Sequence, residues 1–443
     1  MTQINRRNFI KLSGASALLA TSSSILRAED TSEARVAIVG GGFAGATLAK
    51  YLRLWSDGKI QVTMIDKNPD HVSCVLSNLV VNERLSIDDI TLPYSPLQDN
   101  YGVIVRQGLV DHVTDVTGAG IKTVHLDDGS HIECDYVVLA PGIEFIDIPG
   151  LKAGATNNFD LVPHAWIAGR QTEILRDQLK GMQKGDTFVM TVPQSPYRCP
   201  PGPYERACVV ADYVKRVLGE GEVIVLDPHP DITIEKETFG SAFNNIYKDI
   251  VTYIPNAELR SIEIRANGEK IAKTQIGDFP ATVLNVIPTH KAAKIVEDLE
   301  LVPAGKRFAP VDPVSYESTV RPGIYIVGDS NDSGQPKSAH MANAQAKVCA
   351  DAIIRAIAST PETEDLVHDP ERLANIKTNS ACYSPITYDE ASWLTAVFAY
   401  DQNENSMKLV ADSFASSNSP HWSNDNYEDM FDWANSLFSN TFR

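Results

Sequence analysis

Cysteine is scarce, with six residues in a chain of 443. That is too few for a disulfide scaffold, so each thiol needs its own account. No C-x-x-C-H haem-attachment motif occurs, and no His/Cys spacing suits zinc. Basic charge is also short, at 39 Lys+Arg against 57 Asp+Glu and a net −18. This argues against a nucleic-acid backbone or an anionic membrane surface as the main partner, while leaving a basic protein patch open. No apolar run approaches the roughly 20 residues of a membrane-spanning helix. What the chain does have is 43% hydrophobic residues, ample for sizeable cores, which excludes wholesale disorder. Its length suits roughly two to four domains.

The first 28 residues read as an export signal. Arg6-Arg7-Asn8-Phe9-Ile10-Lys11 is a twin-arginine pattern, followed by a modestly apolar stretch from Leu12 to Ala20 and a small-residue cleavage site ending at Ala28. Periplasmic localisation by the twin-arginine pathway is therefore expected. Removing this segment, which holds four basic residues and no acids, deepens the charge to −22. Twin-arginine export carries folded proteins, which suits a chain that takes up a cofactor before leaving the cytoplasm.

From residue 34 onward, apolar strand-like runs alternate with helical stretches, the pattern of an α/β protein with parallel sheets. Val36–Val39 is a buried strand, and 40–45 is a glycine turn opening a helix to about Trp55. Gln61–Ile65 is the second strand. Further strands are expected at Tyr136–Ala140, Thr187–Val192, Val223–Leu226, Val283–Ile287 and Gly323–Asp329, with a helix from about Ser338 to Ala358. Beyond Pro361 the composition turns polar and aromatic, suggesting a small separate α+β domain. The resulting plan has two Rossmann-like units and a cap. It places a first nucleotide domain at 34–150, a second nucleotide-binding-like domain at 151–282, a return to the first at 283–360, and a C-terminal interface domain at 361–443.

Gly40-x-Gly42-x-x-Gly45 sits after a strand and opens a helix, where backbone N–H groups can receive a pyrophosphate. Ala44 lies within the turn. Asp66 ends the second strand and suits an adenosine ribose hydroxyl, with Lys67 beside it. Downstream, Ala140-Pro141-Gly142 and Gly328-Asp329 resemble the later FAD-contacting strand ends of two-dinucleotide-domain flavoproteins. In that group the aspartate bonds the ribityl chain, so the resemblance implies FAD. Lys337 would favour a negatively charged reduced flavin, with a merely solvated lysine as the alternative. The strand near residue 190 lacks a second glycine turn. It leads into Pro193, Pro196, Pro200, Pro201 and Pro203 instead, and proline has no N–H to offer a phosphate. No NAD(P)H is expected.

Arg198-Cys199-Pro200-Pro201-Gly202-Pro203-Tyr204-Glu205-Arg206-Ala207, with Ser73-Cys74-Val75-Leu76-Ser77-Asn78, Pro163-His164-Ala165-Trp166 and Ala381-Cys382-Tyr383-Ser384, resembles the flavoprotein subunit of flavocytochrome c sulfide dehydrogenase. The resemblance runs from the glycine turn to the C-terminus. It implies FAD joined covalently to Cys74, a redox disulfide between Cys199 and Cys382, and an acid–base role for Glu205. It also implies a small c-type cytochrome partner that carries the haem, with sulfide as substrate and polysulfide or elemental sulfur as product. For Cys199 and Cys382 a structural bridge is the alternative, and for Glu205 a dipole-favoured first-turn glutamate. Cys134, Cys208 and Cys349 fall in strand or helix patterns and are expected to be buried and inert; a Cys199–Cys208 bridge is the lesser rival. His164 is expected to be structural or at the site margin. Two other functions compete: a sulfide:quinone oxidoreductase, and a flavin-bearing binding or activation subunit of a sulfur-oxidising complex. The Met430–Phe438 segment is amphipathic, but its acidic neighbours disfavour anionic lipid, and burial or partner contact is the plainer reading.

Overall fold

The computed structural model describes residues 33–114, 120–153, 156–358, 370–416 and 421–443. The segment 1–28, expected to direct export, lies outside the described residues. In chain order the elements that position the site are β1 (Ala34–Val39), α1 (Phe43–Trp55), β2 (Ile60–Asp66), α2 (Ser77–Val81), β3 (Ile104–Gln107) and β4 (Tyr136–Leu139). There follow β5 (Thr187–Thr191), α3 (Gly202–Tyr213), β6 (Glu222–Leu226), α4 (Lys236–Ser241), β7 (Val251–Ile254) and β8 (Val283–Val286). The chain then returns through β9 (Ile324–Ile326) and α5 (Ala339–Ala358), and ends in β10 (Lys377–Pro385), β11 (Ala391–Asp401), β12 (Ser406–Leu409) and α6 (Asn424–Phe442).

The first sheet is parallel with order β9-β4-β1-β2-β3. Both faces are covered, so β1 and β4 read as unbroken apolar runs rather than alternating ones. The strand order reverses between β1 and β4, the switch point at whose carboxyl edge ligands bind in open α/β sheets. Small buried residues on α1 (Ala46, Ala49) and α5 (Ala342, Ala346, Ala350) let the two helices pack closely on this sheet.

The second sheet is also parallel, with order β7-β6-β5-β8. Phe188 and Met190 of β5 face one core, while Val189 faces another with Ile224 and Leu284. Pairing of Phe188 with Val283 puts β8 in this sheet, so the expected boundary at 282/283 falls one strand too early. Buried four-residue runs such as Val283–Val286 suit either parallel sheet, and local pattern cannot say which.

The C-terminal region has its own antiparallel sheet, β10-β11-β12. It does not stand apart as a separate domain, however. Ala434, Leu437, Phe438 and Phe442 of α6 belong to the core of the first sheet. Lys50 on α1 donates to the carbonyls of Ser439 (2.9 Å) and Arg443, meeting the negative end of the α6 dipole. Asn343 on α5 ties Thr47 to Thr441 at 2.8 and 3.0 Å.

Candidate functional site

The glycine turn is built for close backbone approach. Gly40 has φ +107°, and a Cβ there would lie 2.3 Å from the Ala140 carbonyl oxygen; one on Gly45 would lie 1.8 Å from the Gly40 carbonyl oxygen. Side chains are therefore excluded at both positions. Gly42 caps α1 with no side-chain hydrogen bond, leaving first-turn N–H groups for an anion. Asp66 braces the turn, accepting from Gly41 N at 2.7 Å and Asn68 N at 2.8 Å. Gly40, Gly42, Ala44 and Asp66 line a cleft of about 490 Å³ with Lys67, Cys74, Ala140, Gly142, Gly328 and Asp329, whereas Gly45 does not border it. Asp329 Oδ1 is buried and has no hydrogen-bond partner among the protein groups. An orphaned buried carboxylate oxygen costs about 1–3 kcal/mol unless a ligand donates to it. The ribityl hydroxyls of FAD are donors of the required kind, so the residues present fit a flavin dinucleotide.

A second cavity, of about 70 Å³, holds Cys199, Cys382 and Glu205 together, with Asn78, Arg206, His340 and Trp433 among its other walls. Three elements deliver the cysteines and the acid. Cys199 sits at the end of the loop after β5, Glu205 in the first turn of α3, and Cys382 within β10. Cys199 is held at φ +58°, a left-handed conformation costing about 1–3 kcal/mol for a non-glycine residue. Its N–H donates to the Lys337 carbonyl at 2.7 Å and its carbonyl accepts from Gly202 N at 2.9 Å. A Cβ on Gly202 would stand 3.0 Å from the Cys199 sulfur, so glycine leaves that thiol its room. All six cysteines are free thiols in this structure, and Cys134, Cys208 and Cys349 are buried away from the cavity.

Cys74 and Arg198 line both cavities. The dinucleotide cleft and the two-cysteine chamber thus share a wall.

Electrostatics within the chamber are set by burial. Desolvation lifts Glu205 to about 7, opposed by a 2.7 Å hydrogen bond from Asn78. Burial pushes the Cys382 thiol up to about 12 and raises Cys199, where the facing Cys382 and Glu205 add to the effect. Two guanidinium groups supply positive charge. Arg206 is fully buried, donating to Asn78 Oδ1, Asn285 Oδ1 and the carbonyls of His164 and Ala165. Arg198 donates to the Trp166 carbonyl, and its Nε is buried without a partner.

Lys337 is not solvated. It lies over the Phe308 ring at 3.7 Å, donates to the Asn331 carbonyl and is lowered to about 8 by burial; it borders neither of the two cavities. His164 is structural: its Nδ1 accepts from Trp166 N at 2.9 Å, and burial lowers it to about 3. At the end of β6, in the place that Asp66 holds after β2, stands Asp227. It is fully buried and accepts from Tyr204, Tyr253 and His229. Sequence reasoning gave no role to Arg198 or Asn78, though both lie in segments that carry the resemblance, nor to His340 or Trp433, because their meeting at the chamber depends on packing between distant segments. Among the described residues no His/Cys/Asp/Glu group could hold a metal ion, and no helix is long and apolar enough to cross a membrane.

Residues 34–171 match the pyridine nucleotide-disulphide oxidoreductase family, and residues 172–288 match the central region of the sulfide dehydrogenase [flavocytochrome c] flavoprotein chain. A sulfide dehydrogenase [flavocytochrome c] flavoprotein chain of Chlorobaculum thiosulfatiphilum is 50% identical over 46 residues, which is 94% of that sequence and 10% of this one. The chain belongs to the sulfide dehydrogenase flavoprotein family. It is a flavin-dependent oxidoreductase of the sulfide-oxidising type. A mitochondrial sulfide:quinone oxidoreductase of Dictyostelium discoideum is 20% identical over 331 residues, covering 71% of this chain and 69% of that one. The solved sulfide:quinone oxidoreductase of Aquifex aeolicus superposes with a TM-score of 0.71 at 15% identity, covering 92% of each chain. At that identity the likeness is one of fold.

Proposed function

We propose that this chain oxidises sulfide in the periplasm through a Cys199–Cys382 redox pair, and that a haem on a small c-type cytochrome partner accepts the electrons. The observation that carries this reading is the wall shared by the two cavities at Cys74 and Arg198. The 40–45 turn, Asp66, Asp329 and, through a thioether, Cys74 would hold FAD, which would supply two-electron acceptance and one-electron release. The chain's own groups do the rest. Hydrosulfide is drawn to the guanidinium groups of Arg198 and Arg206 and attacks one sulfur of the oxidised pair. The S–S bond breaks, one cysteine carries the persulfide, and the other leaves as thiolate. Glu205, poised near neutral pH, takes the proton brought by the substrate. The proline-rich 193–203 loop and the internally satisfied Asp227 favour a protein without a nicotinamide nucleotide site. The −22 charge suits a basic cytochrome surface.

The acceptor is tested by supplying cytochrome c and a short-chain quinone in parallel to the purified exported protein with sulfide. Cytochrome c reduction is expected. Turnover with quinone alone supports the quinone enzyme, and no turnover with either supports a binding subunit. Covalent attachment is tested by acid precipitation. Flavin should stay with the wild-type polypeptide and separate from Cys74→Ser; complete release from the wild type contradicts the thioether.

A further inference from the structure

Among the described residues Glu205 is held by one side chain, and that side chain is locked in turn. Asn78 on α2 is buried; its Nδ2 donates to Glu205 Oε1 at 2.7 Å and reaches the Gly202 carbonyl at 3.5 Å. Its Oδ1 accepts from Arg206 Nε at 2.9 Å. A guanidinium can only donate, so this contact fixes the Asn78 amide with its oxygen toward Arg206 and its N–H groups toward Glu205. Arg206 is itself immobilised by Asn285 Oδ1 at 3.2 Å and by the carbonyls of His164 and Ala165. Asn285 has the same fixed sense, because its Nδ2 donates to the carbonyls of Pro163 at 2.7 Å and His164 at 3.0 Å. The chain Asn285–Arg206–Asn78–Glu205 therefore has a single polarity and ends on one oxygen of the carboxyl. The other oxygen, Oε2, has no hydrogen-bond partner among the described residues, and the carboxyl lines the cysteine chamber. The ionisable groups facing Glu205 are Arg206 and Cys208 on α3, Cys199 on the loop before it, Glu235 at the entrance to α4 and Cys382 on β10.

We infer that Asn78 is a positioning residue that divides the work between the two oxygens of Glu205: Oε1 is held against the amide, and Oε2 is the atom that exchanges the proton in the chamber. An oxygen that accepts from an amide N–H in both protonation states serves as the carbonyl of the neutral acid, so the acid hydrogen sits on the opposite atom. The step is a proton transfer alone: hydrogen sulfide and the Glu205 carboxylate give hydrosulfide and the carboxylic acid, with its hydrogen on Oε2. No electron moves. The same contact steadies the ionised form, since a donor to a carboxylate favours the charge and works against desolvation. Without it the buried carboxyl would stay protonated to higher pH and would be less available as a base at neutrality. The direction agrees with the titration of Glu205, which Asn78 draws down against the rise caused by burial. The role rests on the proposed acid–base function of Glu205. Its test uses no sulfide, so failure of the role and failure of the reaction are told apart.

The test is the infrared carbonyl band of protonated Glu205 in the flavin-loaded protein, isolated as the difference between each protein and its Glu205→Gln counterpart and followed across neutral pH. Asn78→Leu keeps the volume and removes the donor. The midpoint of the band should rise by about one pH unit, a roughly tenfold tighter proton, and the band should move to higher frequency as its carbonyl loses a hydrogen bond. Asn78→Ala, with room for a water to donate, should give a smaller rise. A side chain that only fills space would lower the melting temperature of the variants and leave midpoint and frequency at their wild-type values; in a folded Asn78→Leu protein that result overturns the inference. A raised midpoint with an unmoved band overturns the assignment of Oε1 and with it the division of roles. If Asn78→Leu does not fold, Asn78→Ala decides: a higher midpoint and frequency support the role, and wild-type values overturn it.

Discussion

Glu205 takes its character from where α3 begins. The first turn of that helix drives the carboxyl into the chamber beside Asn78, and desolvation lifts it from 4.5 to about 7. A carboxyl raised by folding binds its proton more tightly in the native state. Its contribution to stability is therefore fullest below the unfolded value and is lost as pH rises from about 4.5 to 7. For this shift the loss amounts to roughly 3 kcal/mol. Glu205→Gln should thus reduce the decline in unfolding free energy between pH 5 and 8 by roughly 2–3 kcal/mol, measured by urea denaturation of wild type and variant at each pH. Equal pH dependence in the two proteins would contradict the burial account. Much of this residue-level picture is legible in sequence: the place of Glu205 after the proline-rich loop marks a helix N-terminus. The raised pKa is not legible, because it arises from burial in a chamber whose walls include Asn78 and Cys382, which lie 127 positions before and 177 positions after it.

At the scale of elements, α6 shows what pattern reading reaches and what it misses. Its apolar stripe is evident from Met430 to Phe438, and burial was one of the expected outcomes. Its partner is not evident, because nothing local says that this face will close against α1, nearly 400 residues earlier. Phe442 seals the contact. It is 1% exposed, lies against Phe43 at 5.4 Å and stacks on His71 at 5.0 Å. His71 lines the dinucleotide cleft, so the last turn of the chain supports the cofactor wall. Phe442→Ala should cost about 3–5 kcal/mol and loosen flavin retention, read as a lower urea midpoint and a lower flavin-to-protein ratio after gel filtration. A variant with wild-type midpoint would show that α6 caps the first domain without supporting it.

At the scale of the whole molecule, two parallel sheets and a C-terminal sheet bring together segments separated by nearly 200 residues. The alternation of buried strands and helices made the α/β class readable, since a strand covered on both faces must be apolar throughout. The same property hid the boundary at β8, where Val283–Val286 would fit either sheet. The two-cavity arrangement is likewise beyond local pattern. Cys74 and Arg198 come from different crossovers and meet only when the sheets are packed. That meeting places the cysteine chamber against the dinucleotide cleft, and the proposed reaction depends on it. The most direct test is anaerobic titration of the purified flavin-loaded protein with sulfide, following flavin absorbance, in wild type and Cys199→Ser. Bleaching of the wild-type flavin, and no bleaching in a variant that keeps its full flavin content, is the expected result. A Cys199→Ser protein whose flavin is reduced by sulfide as readily as the wild type would contradict the account.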